Sequence, residues 1–229
     1  VALSVFLDPE NSFEVLNSEL QKTFDVYGVN HLMGNLMDSH DKVRFLAYAD
    51  GDISYTNQAD AKEIGWDNPP AVDRPSSYQR AQLYLAYMLT IPGLPVIYYG
   101  DEIGMTNTPW DTLDKFRDIH VFDGYEKCLA AGDNVEEFLR NLKHTARDNA
   151  RTPMQWDPSE NSGFTTGTPW IELNPNHKNI NVADAQADPD SILNFYKKMI
   201  RLIFRFSPDF IIYSATTTPS ISKIISMSR

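Results

Sequence analysis

The chain has 229 residues, 42% of them hydrophobic, with 31 acidic against 20 basic side chains and a net charge of −11 at pH 7. An acidic excess of this size disfavours nucleic acid and anionic membranes as partners, because both recruit a basic face. The single cysteine, Cys128, excludes an internal disulfide framework, and no apolar run is long enough to span a bilayer.

Residues 1–10 read as a short apolar start with a turn at Asp8-Pro9. Phe13, Leu16, Leu20, Phe24 and Tyr27 then recur at helical spacing. Asn11 with Glu14 offers a capping box at the start of this run, and Gly28 ends it. His31–Met37 reads as a short apolar strand, with the polar cluster Asp38-Ser39-His40-Asp41 at its C-terminal end. Residues 50–77, rich in Asp, Asn, Pro and Ser, read as a long loop. Ser76 or Ser77 is placed to cap a helix through about Thr90, with Ala81, Tyr84, Leu85 and Met88 on its buried face; Pro92-Gly93 breaks it. The continuous apolar run Leu94–Tyr99 has the signature of a strand covered on both faces, and Gly100-Asp101-Glu102 follows. Residues 101–190 form a long excursion, with helices expected near 112–130 and 134–146. Excursions of that length inside a compact domain are usually functional. Residues 190–206 read as the next helix.

Helix, strand, polar cluster, loop, helix, strand, polar cluster is the order of a parallel α/β repeat. In a (β/α)8 barrel the catalytic groups sit where strands pass into loops, and both polar clusters stand there.

The most specific segment is Ala146-Arg147-Asp148-Asn149-Ala150-Arg151-Thr152-Pro153-Met154-Gln155-Trp156-Asp157. A solvated loop does not need Trp156 and Met154, and a core element does not need Arg147, Asp148 and Arg151. Arginine offers a rigid fork of donors that an adjacent carboxylate can hold in place, which suits a hydroxyl-rich ring ligand. The competing reading is a surface loop stapled by Arg–Asp pairs.

This segment resembles the late loop of α-glucosidases of glycoside hydrolase family 13, the α-amylase family. It is most similar to the oligo-1,6-glucosidase, dextran glucosidase and trehalose-6-phosphate hydrolase branch. The resemblance continues in consistent order through Gly100-Asp101-Glu102-Ile103-Gly104-Met105-Thr106-Asn107, Gly163-Phe164-Thr165-Thr166-Gly167, Pro169-Trp170-Ile171, Asn174-Pro175-Asn176 and Ser191-Ile192-Leu193-Asn194-Phe195-Tyr196-Lys197-Lys198. It covers roughly residues 11–205. Within it, residues 30–100 look more like maltogenic-amylase or neopullulanase-type enzymes and residues 100–200 like the oligo-1,6-glucosidase branch.

The resemblance implies an α/β fold, a partial (β/α)8 TIM barrel: the last two βα units, the long final loop and the start of the C-terminal region. Residues 1–206 are then the C-terminal portion of a catalytic barrel. Residues 207–229 are a degraded or truncated start of a C-terminal β domain, because 214–229 are rich in Ser, Thr and Ile and have no counterpart in the family. The implied activity is retaining cleavage of α-glucosidic bonds in malto- or isomalto-oligosaccharides. Such cleavage passes through an oxocarbenium-like state that a nearby carboxylate stabilises. Asp41 matches the family's transition-state-stabilising aspartate, and His40 its substrate-binding histidine, with Ser39 where asparagine is usual. Arg147 corresponds to the arginine that reaches the sugar at the chain end. Arg44 stands one helical turn after Asp41, as a substrate-binding residue at the pocket rim or as an orienter of Asp41. Arg151 and Asp148 are expected to brace the loop, Trp156 to pack, and Asp101 and Glu102 to be mainly structural. The resemblance implies no cofactor, and no cluster has calcium- or zinc-ligand spacing.

The family's nucleophile lies in a Gly-x-Arg-x-Asp pattern and its acid/base is a glutamate on the next strand. Neither pattern occurs in these 229 residues, so this segment alone is expected to be inactive. The expected partners are an oligosaccharide and the N-terminal part of the barrel, with no nucleic acid and no membrane; the expected compartment is the cytoplasm. The alternatives are a non-catalytic glucosidase-like protein that binds sugar or a partner, and a nonfunctional truncation.

Overall fold

The computed structural model describes residues 12–28, 31–49, 75–206 and 213–214. A helix α1 (Phe13–Tyr27) leads into strand β1 (Gly34–Leu36), a short helix α2 (Phe45–Ala49), helix α3 (Pro75–Thr90) and strand β2 (Leu94–Ile97). The excursion then carries helices α4 (Ile119–Ala131), α5 (Val135–Thr145) and α6 (Val182–Ala187), with 3-10 turns between them. Helix α7 (Ile192–Phe206) and strand β3 (Tyr213–Ser214) follow.

The three strands form one sheet in the order β1-β2-β3, all parallel. Gly34 pairs with Leu94 and Leu36 with Val96, while Val96 pairs with Tyr213. Parallel neighbours need a crossover, and α3 supplies it between β1 and β2. Tyr213–Ser214, within the stretch 207–229, pairs parallel with β2 as a third strand of this sheet. Gly93 makes the tight entry into β2: its φ is +117°, and a Cβ there would meet the Met33 carbonyl oxygen at 2.6 Å.

The main core joins α2, α3, β2 and α7 through Phe45, Leu85, Leu89, Ile97, Ile192 and Tyr196. The four residues expected on the buried face of α3, Ala81, Tyr84, Leu85 and Met88, are all buried. A second core, with Trp110, Phe116, Val121, Leu142 and Ile171, lies inside the excursion itself. The excursion therefore has its own apolar support and holds its loops without leaning wholly on the sheet.

Several local expectations change. Helix α1 begins after Ser12 in the capping position, and Asn11 lies outside the described residues. Helix α3 begins at Pro75, so Ser76 and Ser77 lie inside the helix rather than capping it. Helix α4 starts at Ile119, seven residues later than the apolar spacing suggested, because Asp118 caps it and Leu113–Lys115 closes a separate 3-10 turn. Strand β2 is not covered on both faces: Pro95 and Ile97 are buried while Leu94 and Val96 are only half-buried, since one face alone packs against the α3–α7 core. The loop expected over residues 50–77 lies outside the described residues up to 74.

Candidate functional site

The turn that leaves β1 is built by Asp38. One oxygen of its carboxylate accepts the Ser39 amide at 2.7 Å and the other accepts the Phe45 amide at 3.2 Å. A single buried side chain thereby closes the loop 38–45 and starts α2. Asp101, from the end of β2, lies against Asp38. Burial, and then the neighbouring Asp38 charge, push the Asp101 carboxyl well above its usual range. Glu102 is buried beside them, its pKa raised by burial, and accepts the Gly100 amide at 2.6 Å.

Arg44 departs from the expectation of a pocket-rim residue. Its exposure is 0%. Its guanidinium donates to the Tyr99 carbonyl at 2.5 Å and sits over the Tyr98 and Tyr99 rings, 5.3 and 4.8 Å from their centroids. Its amide donates to Asn107 Oδ1 at 3.0 Å. The side chain turns inward because β2 is followed by two tyrosines that offer it a carbonyl and two ring faces. It fastens the loop after β1 to the backbone after β2.

The same tyrosines carry the second half of the site. Tyr98 Oη donates to the Ala150 carbonyl at 2.9 Å, and Tyr99 Oη to the Thr152 carbonyl at 2.7 Å. These bonds hold the 3-10 turn Arg147–Ala150 above the sheet. Asn149, wholly buried, fixes the turn from the other side: its oxygen accepts the Thr108 amide at 2.9 Å and its amide donates to the Leu142 carbonyl at 3.1 Å. Asn149 is thus hydrogen-bonded through both its side-chain oxygen and its amide nitrogen.

On this base the structure brings His40, Asp41 and Arg147 together. Arg147 Nη1 donates to Asp41 Oδ1 at 3.2 Å, across 106 residues of sequence, and His40 Nε2 lies 3.3 Å from the other Asp41 oxygen. Arg151 Nε donates to the His40 carbonyl at 2.9 Å, and its Nη2 lies 3.5 Å from Asp41 Oδ1. The Asp41 side chain remains 55% exposed, so it is open to a ligand as well as to the arginines. Asp148 is buried; it accepts the Arg117 and Asp118 amides at 2.6 and 2.8 Å and lies 3.4 Å from Arg151 Nη1.

Sequence reasoning missed Asp118. Its nearly buried carboxylate receives Arg147 Nε at 2.6 Å, Arg147 Nη2 at 2.7 Å and Arg151 Nη1 at 3.2 Å. The hydrogen bond from Arg147 holds the Asp118 carboxyl below the usual carboxylate range. The signal available was its place directly before the apolar start of α4, which announces a cap but not an arginine partner. The site thus presents an open carboxylate, an imidazole and two oriented guanidinium groups, a set suited to the hydroxyls of a neutral ring. Among the described residues there is no group of three or more His, Cys, Asp or Glu side chains arranged to hold a metal ion. No helix among them is long and apolar enough to cross a membrane.

Comparison with known proteins gives a consistent pattern. Residues 67–206 match the alpha-amylase family, described as alpha amylase, catalytic domain. The oligo-1,6-glucosidase of Parageobacillus thermoglucosidasius is 44% identical over 153 residues, covering 64% of this chain and 27% of that protein. The glucan 1,6-alpha-glucosidase of Streptococcus pneumoniae is 42% identical over 137 residues, covering 60% of this chain and 25% of that protein. The crystal structure of the trehalulose synthase of Pseudomonas mesoacidophila superposes with a TM-score of 0.64 at 34% identity, over 84% of this chain and 31% of that one. The chain thus spans about a quarter of the length of the curated relatives it matches.

Proposed function

The chain belongs to the alpha-amylase catalytic-domain family, and from that premise we propose that it is the section of a retaining α-glucosidase that supplies the transition-state-stabilising carboxylate and the grip on the terminal sugar. The observation that carries this reading is the meeting of Asp41, His40 and Arg147 at the C-terminal ends of two adjacent parallel strands. In this reading β1 and β2 are the last two strands of a (β/α)8 barrel, whose active sites open at that end.

Asp41 stabilises the oxocarbenium-like charge and, with His40, holds ring hydroxyls. Arg147 reaches the non-reducing end and restricts cleavage to chain termini. Among the described residues, Arg147 spends three of its five N–H donors on Asp118 and Asp41. Two remain to meet a sugar. Arg44 positions the Asp41 loop from beneath. Isomalto-oligosaccharides are the favoured substrates within the malto- and isomalto- class, on the names of the relatives. One stabilising group contributes about 10²–10³ in rate, whereas losing a nucleophile that works within a unit costs on the order of 10⁴–10⁶. Because neither the nucleophile nor the acid/base pattern occurs in these residues, the segment alone has no measurable turnover and works together with the N-terminal part of the barrel.

A chimera tests this. Residues 31–206 replace the matching stretch of the Parageobacillus oligo-1,6-glucosidase, and isomaltose hydrolysis is followed. The expected result is an active chimera whose Asp41→Asn variant loses about 10²–10³ in kcat. A folded chimera without activity, or one indifferent to Asp41→Asn, defeats the proposal.

A further inference from the structure

We infer that Asp118 is the positioning residue that sets the Arg147 guanidinium against Asp41; the role given to the sugar here rests on the function proposed above. The geometry is a bidentate clamp: Arg147 Nε and Nη2 donate to the two Asp118 oxygens at 2.6 and 2.7 Å, which leaves Nη1 pointing to Asp41 Oδ1 at 3.2 Å. A planar guanidinium held on one edge by two parallel bonds has no freedom to rotate about its Cζ–Nε axis, so the opposite edge is aimed. The Asp118 side chain is 2% exposed, whereas that of Arg147 is 30% exposed. The clamp lies inside and the aimed edge lies outside.

Asp118 is itself fixed by independent bonds. Its carboxylate accepts the His120 amide at 3.0 Å as the cap of α4, and its own amide donates to Asp148 Oδ2 at 2.8 Å. Asp148 belongs to the same turn as Arg147. Asp118 and Asp148 therefore lock the start of α4 and the Arg147 turn to each other in both directions. Arg151 Nη1 approaches the Asp118 oxygen at 3.2 Å, so one carboxylate orders both arginines that face Asp41. Asp118 touches no position a sugar occupies in this reading; it acts through Arg147.

The test uses the full chain with Asp118→Asn and Asp118→Ser, both residues that keep a helix cap. Far-UV circular dichroism and melting establish that each variant is folded. The Arg147 Nε–H resonance, assigned by its loss in Arg147→Lys, reports the clamp. It is expected to exchange slowly with solvent in the parent chain and at least about tenfold faster in both Asp118 variants, as befits loss of a charge-assisted pair. Isomaltose titration should show weaker binding in Asp118→Asn, and no further loss when Arg147→Lys is added, because both changes remove one device. Unchanged exchange of the Arg147 resonance in the Asp118 variants, or additive losses in the double variant, overturns the inference. If the parent chain binds no isomaltose while the resonance responds as expected, the sugar reading fails and the positioning role stands.

Discussion

Asp148 shows how much of this site is held by single buried atoms. Its carboxylate carries two main-chain amides and the edge of Arg151 with no exposed surface. Asp148→Ala strands those donors and leaves Arg151 short of a partner. Chemical denaturation should register a loss of about 3–5 kcal/mol, the range for breaking a buried charged pair from one side. Gly100 is a second such point. Its φ is +91°, and a Cβ there would meet Met105 Sδ at 2.5 Å and Arg44 Nη1 at 3.0 Å. Gly100→Ala is therefore expected to lower the melting temperature and to disturb the Arg44 anchor, whereas Gly132→Ala, with nothing within 4 Å of its Cβ, pays only the left-handed backbone cost of about 1–2 kcal/mol. At this scale the sequence was readable where chemistry is local. His40 and Asp41 are neighbours, and the Arg147 segment carries its own wording. The inward turn of Arg44 was not readable, because it depends on tyrosines 55 residues away. Nor was the role of Asp118, which depends on an arginine 29 residues on.

Among the elements, α3 and α7 form the frame on which the strand ends stand. Leu85 and Leu193 are each about 1% exposed or less, on α3 and α7 respectively. Leu85→Ala should cost about 2–5 kcal/mol of stability. Leu193 packs with Ile103, Met105 and Met154 directly under the site. Its truncation should cost a similar amount and also loosen the 101–105 turn, read as faster amide exchange there. Helical periodicity placed α1, α3, α5 and α7 within a few residues, although of the α1 run only Leu16 is buried while Phe13 and Tyr27 stand exposed. Strand extents were less legible. The apolar run 94–99 is longer than β2, because Tyr98 and Tyr99 leave the sheet to bond the Arg147 turn. Apolar spacing alone also set the start of α4 too early, since a capping residue rather than hydrophobicity decides where it begins.

For the molecule as a whole, charge and exposure make separate demands. Burial raises the pKa values of Asp38, Asp101 and Glu102. A carboxyl whose folded pKa exceeds its unfolded one binds more protons when folded. The stability it contributes is full below the unfolded value, near 4, and is lost as pH rises through the folded one. Asp101→Asn removes the largest of these shifts, so its unfolding free energy should fall less between about pH 4 and pH 8 than that of the parent; a parallel fall in both counts against a raised Asp101 pKa. Asp118 works in the opposite sense: its depressed pKa contributes stability above about pH 4 that is lost on further acidification. Meanwhile Val26, Tyr27, Leu32 and Leu36 stand between 51% and 74% exposed around α1 and β1. Exposed apolar side chains of this size favour association, and concentration-dependent sedimentation should show self-association that a Leu32→Ser, Leu36→Ser variant relieves. The parallel α/β order was legible because strand, polar cluster and helix alternate; the joining of β3 to the same sheet was not, because no periodicity marks the pairing partner of a two-residue strand. The most direct measurement is the binding of isomaltose to the folded chain, by calorimetry or chemical-shift perturbation, beside Asp41→Ala and Arg147→Ala. Saturable binding that both variants lose, with perturbations centred on residues 40–41 and 147–151, is the predicted result. A folded chain that ignores isomaltose, or that binds it equally well without Asp41 and Arg147, contradicts the account.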